Sequence, residues 1–352
     1  MRIRPSAARN LLRLIAMSMV VAAACVTLLS GSFNRASAAP TTSAAPATAS
    51  GGELTVAKAA VLGVVEGLTE YLPVSSTGHL LITERILDVG QNDADREAIN
   101  SYTVIIQIGA ILAVLAVSWR RVVEVLQGLI GRSEPGRKLL FALVVAFIPA
   151  AIIGKGGEKI ITHKLLKPWP VVAAWIVGGV VLLVLWPKLS GRGATGGSGE
   201  AGRASKRSGE AQPQSYGRVG AALESLTLRQ AAIIGGAQVL ALWPGTSRSL
   251  VTIMAALAVG LNLVAAVEFS FLLGLLTLSA ATAYEGLAHG SDLVDRFGTG
   301  TPLVGIVVAG IAAFISVRWM LSWLQHSGLE VFGYYRIAVG VVVAALLVTS
   351  VI

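Results

Sequence analysis

Six apolar runs close to the length needed to cross a bilayer limit what this chain can fold into: residues 102–119, 139–154, 169–186, 265–284, 303–323 and 334–352. Hydrocarbon offers no water to satisfy a backbone, so such runs resolve as α-helices whose hydrogen bonds close within the segment. The short alternating segments that build a membrane β-barrel are absent. Composition agrees, because 54% of the 352 residues are hydrophobic and only 13% are charged, about half the charge of a soluble domain. The sequence predicts an all-α polytopic membrane protein.

Two further apolar stretches, 54–87 and 230–261, are each broken midway. The breaks read Pro73-Val74-Ser75-Ser76-Thr77-Gly78-His79 and Pro244-Gly245-Thr246-Ser247-Arg248-Ser249. Irregular backbone at membrane depth is tolerated only where protein buries it or a wet cavity adjoins it. Each stretch is therefore expected to be a re-entrant helical hairpin, with two ordinary spans kinked at proline as the alternative. The stretches also resemble each other at a spacing of 172 residues: Ala59-Ala60-Val61-Leu62-Gly63 falls on Ala231-Ala232-Ile233-Ile234-Gly235, Glu66 on Gln238, Tyr71 on Trp243 and Ser75 on Ser247. With the two hairpins entering from opposite sides, this is an inverted repeat whose tips meet near the midplane.

The net charge of +9 does not point to nucleic acid, because the cations sit in short segments between apolar runs and no basic stripe interleaves with aromatics. Segment 120–138 carries five Lys/Arg against two Glu, and 188–229 seven against three acidic residues. The positive-inside rule puts both in the cytoplasm, and attraction to anionic membrane lipids fits the same distribution. The acidic segment 285–296 should be an outer loop; the Lys-rich loop 155–167 must then also lie outside, against the rule. Both termini fall outside.

Residues 1–38 read as a signal peptide or signal-anchor. Arg2, Arg4, Arg9 and Arg13 precede apolar residues 14–29, and Ala36-Ser37-Ala38 resembles a cleavage site. The lone Cys25 supports no disulfide framework. Residues 39–52 are an Ala/Thr/Ser/Pro linker, 53–352 the membrane domain, and 191–214 a Gly/Ser/Arg-rich loop expected to be disordered.

Chemistry concentrates at the breaks. Glu66 and Glu70 lie at i and i+4, on one side of a helix, where like charges repel. Ionised groups inside a membrane are costly and mark function; a divalent cation, Mg²⁺ or Ca²⁺, would stabilise such a pair. Ser75, Ser76, Thr77 and His79 place three hydroxyls and an imidazole beside a helix start, which suits an anion. Ser76 is a candidate nucleophile or phosphate ligand and His79 a candidate acid or base. Arg248, flanked by Ser247, Ser249 and Thr252, carries a planar fork matched to phosphate oxygens. Glu268 is equally well explained by a structural ion pair. Together these groups suit phosphoryl transfer on a lipid phosphate, since such transfer needs chiefly positioning and charge neutralisation. A lipid-phosphate transporter would share the architecture without needing the Ser/His set. The acid-phosphatase-like lipid phosphatases would need a second His after a Ser-Arg pair, and His289 lies too far away.

The run Glu66-Gly67-Leu68-Thr69-Glu70-Tyr71-Leu72-Pro73-Val74-Ser75-Ser76-Thr77-Gly78-His79, with Pro244-Gly245-Thr246-Ser247-Arg248-Ser249, resembles the two signature motifs of the BacA/UppP family of undecaprenyl-diphosphate phosphatases. Ile106-Gln107-Ile108-Gly109-Ala110, Phe147-Ile148-Pro149-Ala150 and Tyr335-Arg336 fit as well. The resemblance implies six transmembrane helices with two re-entrant hairpins and a bacterial plasma-membrane location. The implied reaction is hydrolysis of undecaprenyl diphosphate to the carrier lipid of peptidoglycan synthesis, with bacitracin resistance as a consequence and the site facing the extracytoplasmic side. It assigns Glu66 and Glu70 to metal binding and catalysis, Ser76 and His79 to nucleophile and acid/base, and Arg248 to phosphate. A homodimer is left as an open partner. Leu250 stands where the family often has Gly, and the stretch after Glu268 lacks a common Pro.

Overall fold

The computed structural model describes residues 54–90, 93–195 and 220–352. The expected signal segment, the 39–52 linker and residues 196–214 of the expected disordered loop lie outside the described residues; 191–195 continue a helix. Among the described residues there are helices and no β-strand.

Six helices among the described residues are long and apolar enough to cross a membrane. They are α3 (Asp93–Val117), α5 (Glu134–Ile160), α6 (Pro168–Thr195), α9 (Leu263–Phe297), α10 (Gly300–Leu324) and α11 (Glu330–Val348). Each contains or nearly contains one of the predicted runs. Their outer faces are apolar: Leu303, Val307, Ile311 and Ile315 recur every fourth residue on α10 and stay exposed, the lipid-facing stripe expected of a span. This is a multi-pass membrane protein.

The broken stretches resolve as helix–break–helix pairs. α1 (Val56–Thr69) and α2 (Ser76–Ile86) form the first. α7 (Leu228–Gln238), a 3₁₀ turn (Val239–Leu242) and α8 (Arg248–Ala258) form the second. The 172-residue spacing seen in sequence holds in the backbone. Both stretches start with a Thr cap, Thr55 and Thr227, each accepting from the amide three residues on at 3.3 Å. Both second helices start one residue after a serine at positive φ, Ser75 (φ 76°, ψ 104°) and Ser247 (φ 76°, ψ 110°). Among the described residues three spans follow each pair, so these residues form two like halves.

The halves interlock. α1 lies along α10, the middle span of the other half, and α7 along α5, the middle span of the first. Glycines permit both approaches: a Cβ at Gly63 would stand 2.6 Å from the Gly305 carbonyl oxygen, and one at the matching Gly235 2.6 Å from the Ala146 Cα. Small residues at such contacts let helix backbones come close where lipid supplies no hydrophobic drive. The third spans, α6 and α11, pack on each other.

The expected loops differ. Residues 285–296 are helical, because Leu293 is buried against a cluster containing Ile99 and Tyr102, while Arg296 pairs with Asp95. That gives α9 35 residues, or about 52 Å at 1.5 Å per residue, well beyond a bilayer core of ~30 Å. Residues 155–167 continue α5 to Ile160 and then form a π-helical turn (Ile161–Leu165). Segment 120–138 contains α4 (Trp119–Leu129), from which Arg121 donates to Glu124, Glu224 and Glu268 at 2.7–2.9 Å. Glu268 is thus a structural partner that joins α9 to α4.

Candidate active site

The two breaks meet inside the bundle, and side chains from other elements satisfy the backbone that the breaks leave unpaired. Ser249 donates to the Leu72 carbonyl at 2.8 Å and Trp175 Nε1 to that of Val74 at 3.0 Å. Arg336, fully buried on α11, donates to Gly245 O at 2.8 Å, Ala174 O at 2.9 Å and Pro73 O at 3.5 Å. One guanidinium therefore touches both breaks and α6. Burying it is tolerable because three carbonyl dipoles face the charge.

Glu70, just past the end of α1, is the hub of the site. It accepts from the Ser76 hydroxyl through Oε2, and from Arg248 Nη2 through Oε1 at 3.1 Å. The first residues of α2 and α8 thereby converge on one carboxylate. Arg248 also lies over the Tyr71 ring, 5.4 Å from its centroid, and rests on Gly274 of α9. A Cβ there would stand 2.5 Å from Arg248 Cζ and 2.6 Å from Nη2. A cavity of about 190 Å³ adjoins this cluster, lined by Glu70, Ser75, Ser76, Thr77, Gln238, Ser247 and Arg248, with Gln107, Ala150 and Thr277 among the rest.

The remaining expected residues are placed as follows. Glu66 is fully buried and does not line the cavity, but is within electrostatic reach of Glu70 and Arg248. His79 does not line the cavity; Nδ1 bonds Ser75 O at 2.7 Å, Nε2 faces Tyr335 Oη at 2.9 Å, and the ring lies against Trp175. With Nδ1 donating to a carbonyl, Nε2 of the neutral ring accepts from the tyrosine. Ser249 is committed to Leu72, and Thr252 to Arg248 O and Ser270 Oγ, so both brace the second break without reaching the cavity wall.

Sequence reasoning singled out no role for Gln238, Tyr71, Gly274 or Arg336. Gln238 was visible only as the repeat counterpart of Glu66. Arg336 is the only charge in the apolar stretch from Val331 to the end, a signal of intramembrane function that could have been followed.

Polar atoms without partners cluster at this site. Among the described residues, both oxygens of Glu66, the Tyr71 hydroxyl, both amide atoms of Gln238 and Arg248 Nε are buried with no hydrogen-bond partner. Proteins satisfy nearly all such groups, so their concentration about the Glu70–Arg248 pair marks a place built for a polar ligand.

Fold and site define a helical, multi-pass membrane protein with a carboxylate–hydroxyl–guanidinium centre enclosed between two structural repeats. The chain belongs to the family described as bacitracin resistance protein BacA, whose model matches residues 59–342. It is 37% identical over 286 residues to the undecaprenyl-diphosphatase of Sorangium cellulosum, covering 81% of this chain and 84% of that one. It is 39% identical to undecaprenyl-diphosphatase 2 of Rhodospirillum rubrum, with 82% and 93% covered, and 39% to the undecaprenyl-diphosphatase of Ectopseudomonas mendocina, with 82% and 92% covered.

Proposed function

We propose that this chain hydrolyses undecaprenyl diphosphate to undecaprenyl phosphate and inorganic phosphate. That activity recycles the carrier lipid of peptidoglycan synthesis and gives resistance to bacitracin. Family membership supports the reaction class, and the observation that carries it to this chain is the Ser76–Glu70–Arg248 contact at a polar cavity among lipid-facing helices.

Arg248 clamps the terminal phosphate, with Nε as a buried donor still free to bond it. Ser76 Oγ attacks the terminal phosphorus as Glu70 Oε2, already its hydrogen-bond acceptor, takes the proton. The new Oγ–P bond replaces the bridging P–O bond, and undecaprenyl phosphate leaves. Water then hydrolyses the phosphoserine, which restores the serine and releases phosphate. His79, engaged with Ser75 and Tyr335, positions the start of α2 in this reading.

Mg²⁺ or Ca²⁺ fits the donor set. Glu66 offers two buried carboxylate oxygens with no hydrogen-bond partner among the described residues, and both ions prefer oxygen ligands. Among the described residues no three acidic, His or Cys side chains cluster, so Glu66 and Glu70 would hold the ion with water and phosphate oxygens completing its shell. Bound there, it would neutralise diphosphate charge.

We place the site toward the extracytoplasmic half. Gln107, Ala150 and Thr277 of the cavity wall all lie past the middle of their apolar runs, away from the basic 120–138 segment. Among the described residues three spans separate the two helix pairs, so re-entrant hairpins would enter from opposite faces, as in an inverted repeat.

Phosphate release from undecaprenyl diphosphate by purified protein, with and without chelator, tests the function. Trapped phosphoserine at Ser76 supports the serine route. Full activity of Ser76→Ala would overturn it and return the attack to water.

A further inference from the structure

Gln238 occupies the repeat position of Glu66, and the equivalence is geometric as well as sequential, since both stretches begin and break at matching residues. It is 2% exposed, lines the same cavity wall as Glu70 and Arg248, and neither of its amide atoms has a partner among the described residues. An amide buried this way is costly unless something in the cavity bonds it. We propose that Gln238 is a diphosphate-binding residue, its Nε2 donating to a phosphate oxygen beside Arg248.

The chemistry of the pair explains why an amide stands there. The first half supplies Glu66 and Glu70 to the centre. A further carboxylate at position 238 would face an incoming polyanion and repel it in a low-dielectric site. An amide keeps the size and reach of the side chain but turns the position into a neutral donor. The repeats have thus specialised: carboxylates come from the first, and neutral and cationic donors, Gln238 and Arg248, from the second. This inference rests on the diphosphate reading of the cavity.

The test uses the full-length chain in detergent, with methylenediphosphonate as a non-hydrolysable probe and undecaprenyl diphosphate as substrate. Gln238→Leu removes both polar atoms at similar volume. We expect an unliganded Tm equal to or above that of the wild type, because no native bond is lost. We also expect a much smaller stabilisation by methylenediphosphonate and a ten- to hundredfold fall in kcat/KM. Gln238→Glu should fall further than Gln238→Leu. A kcat/KM within twofold of wild type, an unchanged probe-induced shift, or a lowered unliganded Tm that accompanies lost activity would each overturn the proposal. A wild-type chain that methylenediphosphonate fails to stabilise would overturn it too. Probe stabilisation of the wild type without phosphate release would instead sink the phosphatase reading and leave the Gln238 assignment standing.

Discussion

Replacing Gly274 with alanine would add one methyl group where the Arg248 guanidinium now rests. The new Cβ would lie 2.5 Å from Cζ and 2.6 Å from Nη2, inside any tolerable contact, and α9 backbone cannot retreat because its neighbours Phe271, Leu272 and Leu273 are buried. The guanidinium must move, and its 3.1 Å bond to Glu70 moves with it. Overpacking of this kind costs about 1–3 kcal/mol in stability. Removing one positioned donor from developing charge typically costs about 10²–10³ in kcat. Because Arg248 is displaced and not deleted, the expected loss in kcat/KM is ~10–100-fold, or about 1.4–2.7 kcal/mol. The decisive assay is a double-mutant cycle on phosphate release. In an Arg248→Ala background the methyl enters vacated space, so adding Gly274→Ala should cost less than about threefold. A single variant with near wild-type activity, or equal losses in both backgrounds, would refute the claim that Gly274 exists to admit Arg248.

Other expectations follow from the same contacts. Arg336→Met should lower Tm and kcat together, because Ala174 and Gly245 lose their charged donor and each stranded acceptor costs about 1–3 kcal/mol; unaltered kcat would remove its role in setting one break against the other. Tyr335→Phe leaves His79 Nε2 without its 2.9 Å partner and should reduce kcat about tenfold with KM little changed, read by steady-state kinetics. Near Arg121, the Glu224 carboxyl is held below the usual carboxylate range by its own backbone hydrogen bond and then by Arg121. A carboxyl with a depressed folded value stabilises above the ordinary range near 4.5 and loses that effect as pH falls through the folded value. A melting series from pH 6 to 3 should therefore steepen at its acid end in wild type and flatten in Glu224→Gln.

Much of the architecture was legible because lipid demands uninterrupted apolar runs, and a run is a local property of sequence. The two breaks were legible for the same reason, since Pro73 and Pro244 interrupt such runs with polar residues. Helix lengths were not: residues 285–296 look like an acidic loop, but their helix is held by Leu293 and Arg296 against partners on α3, which no local pattern records. At the site, Glu70, Ser76 and Arg248 were each visible as polar residues in apolar surroundings, and the structure joins them through one carboxylate. The position of His79 was not visible, because its ring is turned away by Tyr335, 256 residues along the chain. The work of Arg336 was hidden too, since its partners are carbonyls and every residue has one.

The crossing of halves fixes the order in which the protein can be completed. When α1 leaves the ribosome, the span it must lie against, beginning at Gly300, has not been made. At 5–20 residues per second the wait is on the order of tens of seconds. For the first part of that time a segment carrying Glu66 and Glu70 has no Arg248, and for all of it no finished enclosure. The first half is thus an unfinished object that membrane chaperones or quality-control proteases would meet as a substrate. Two fragments divided between α6 and α7 should each be short-lived when expressed alone and persist when expressed together.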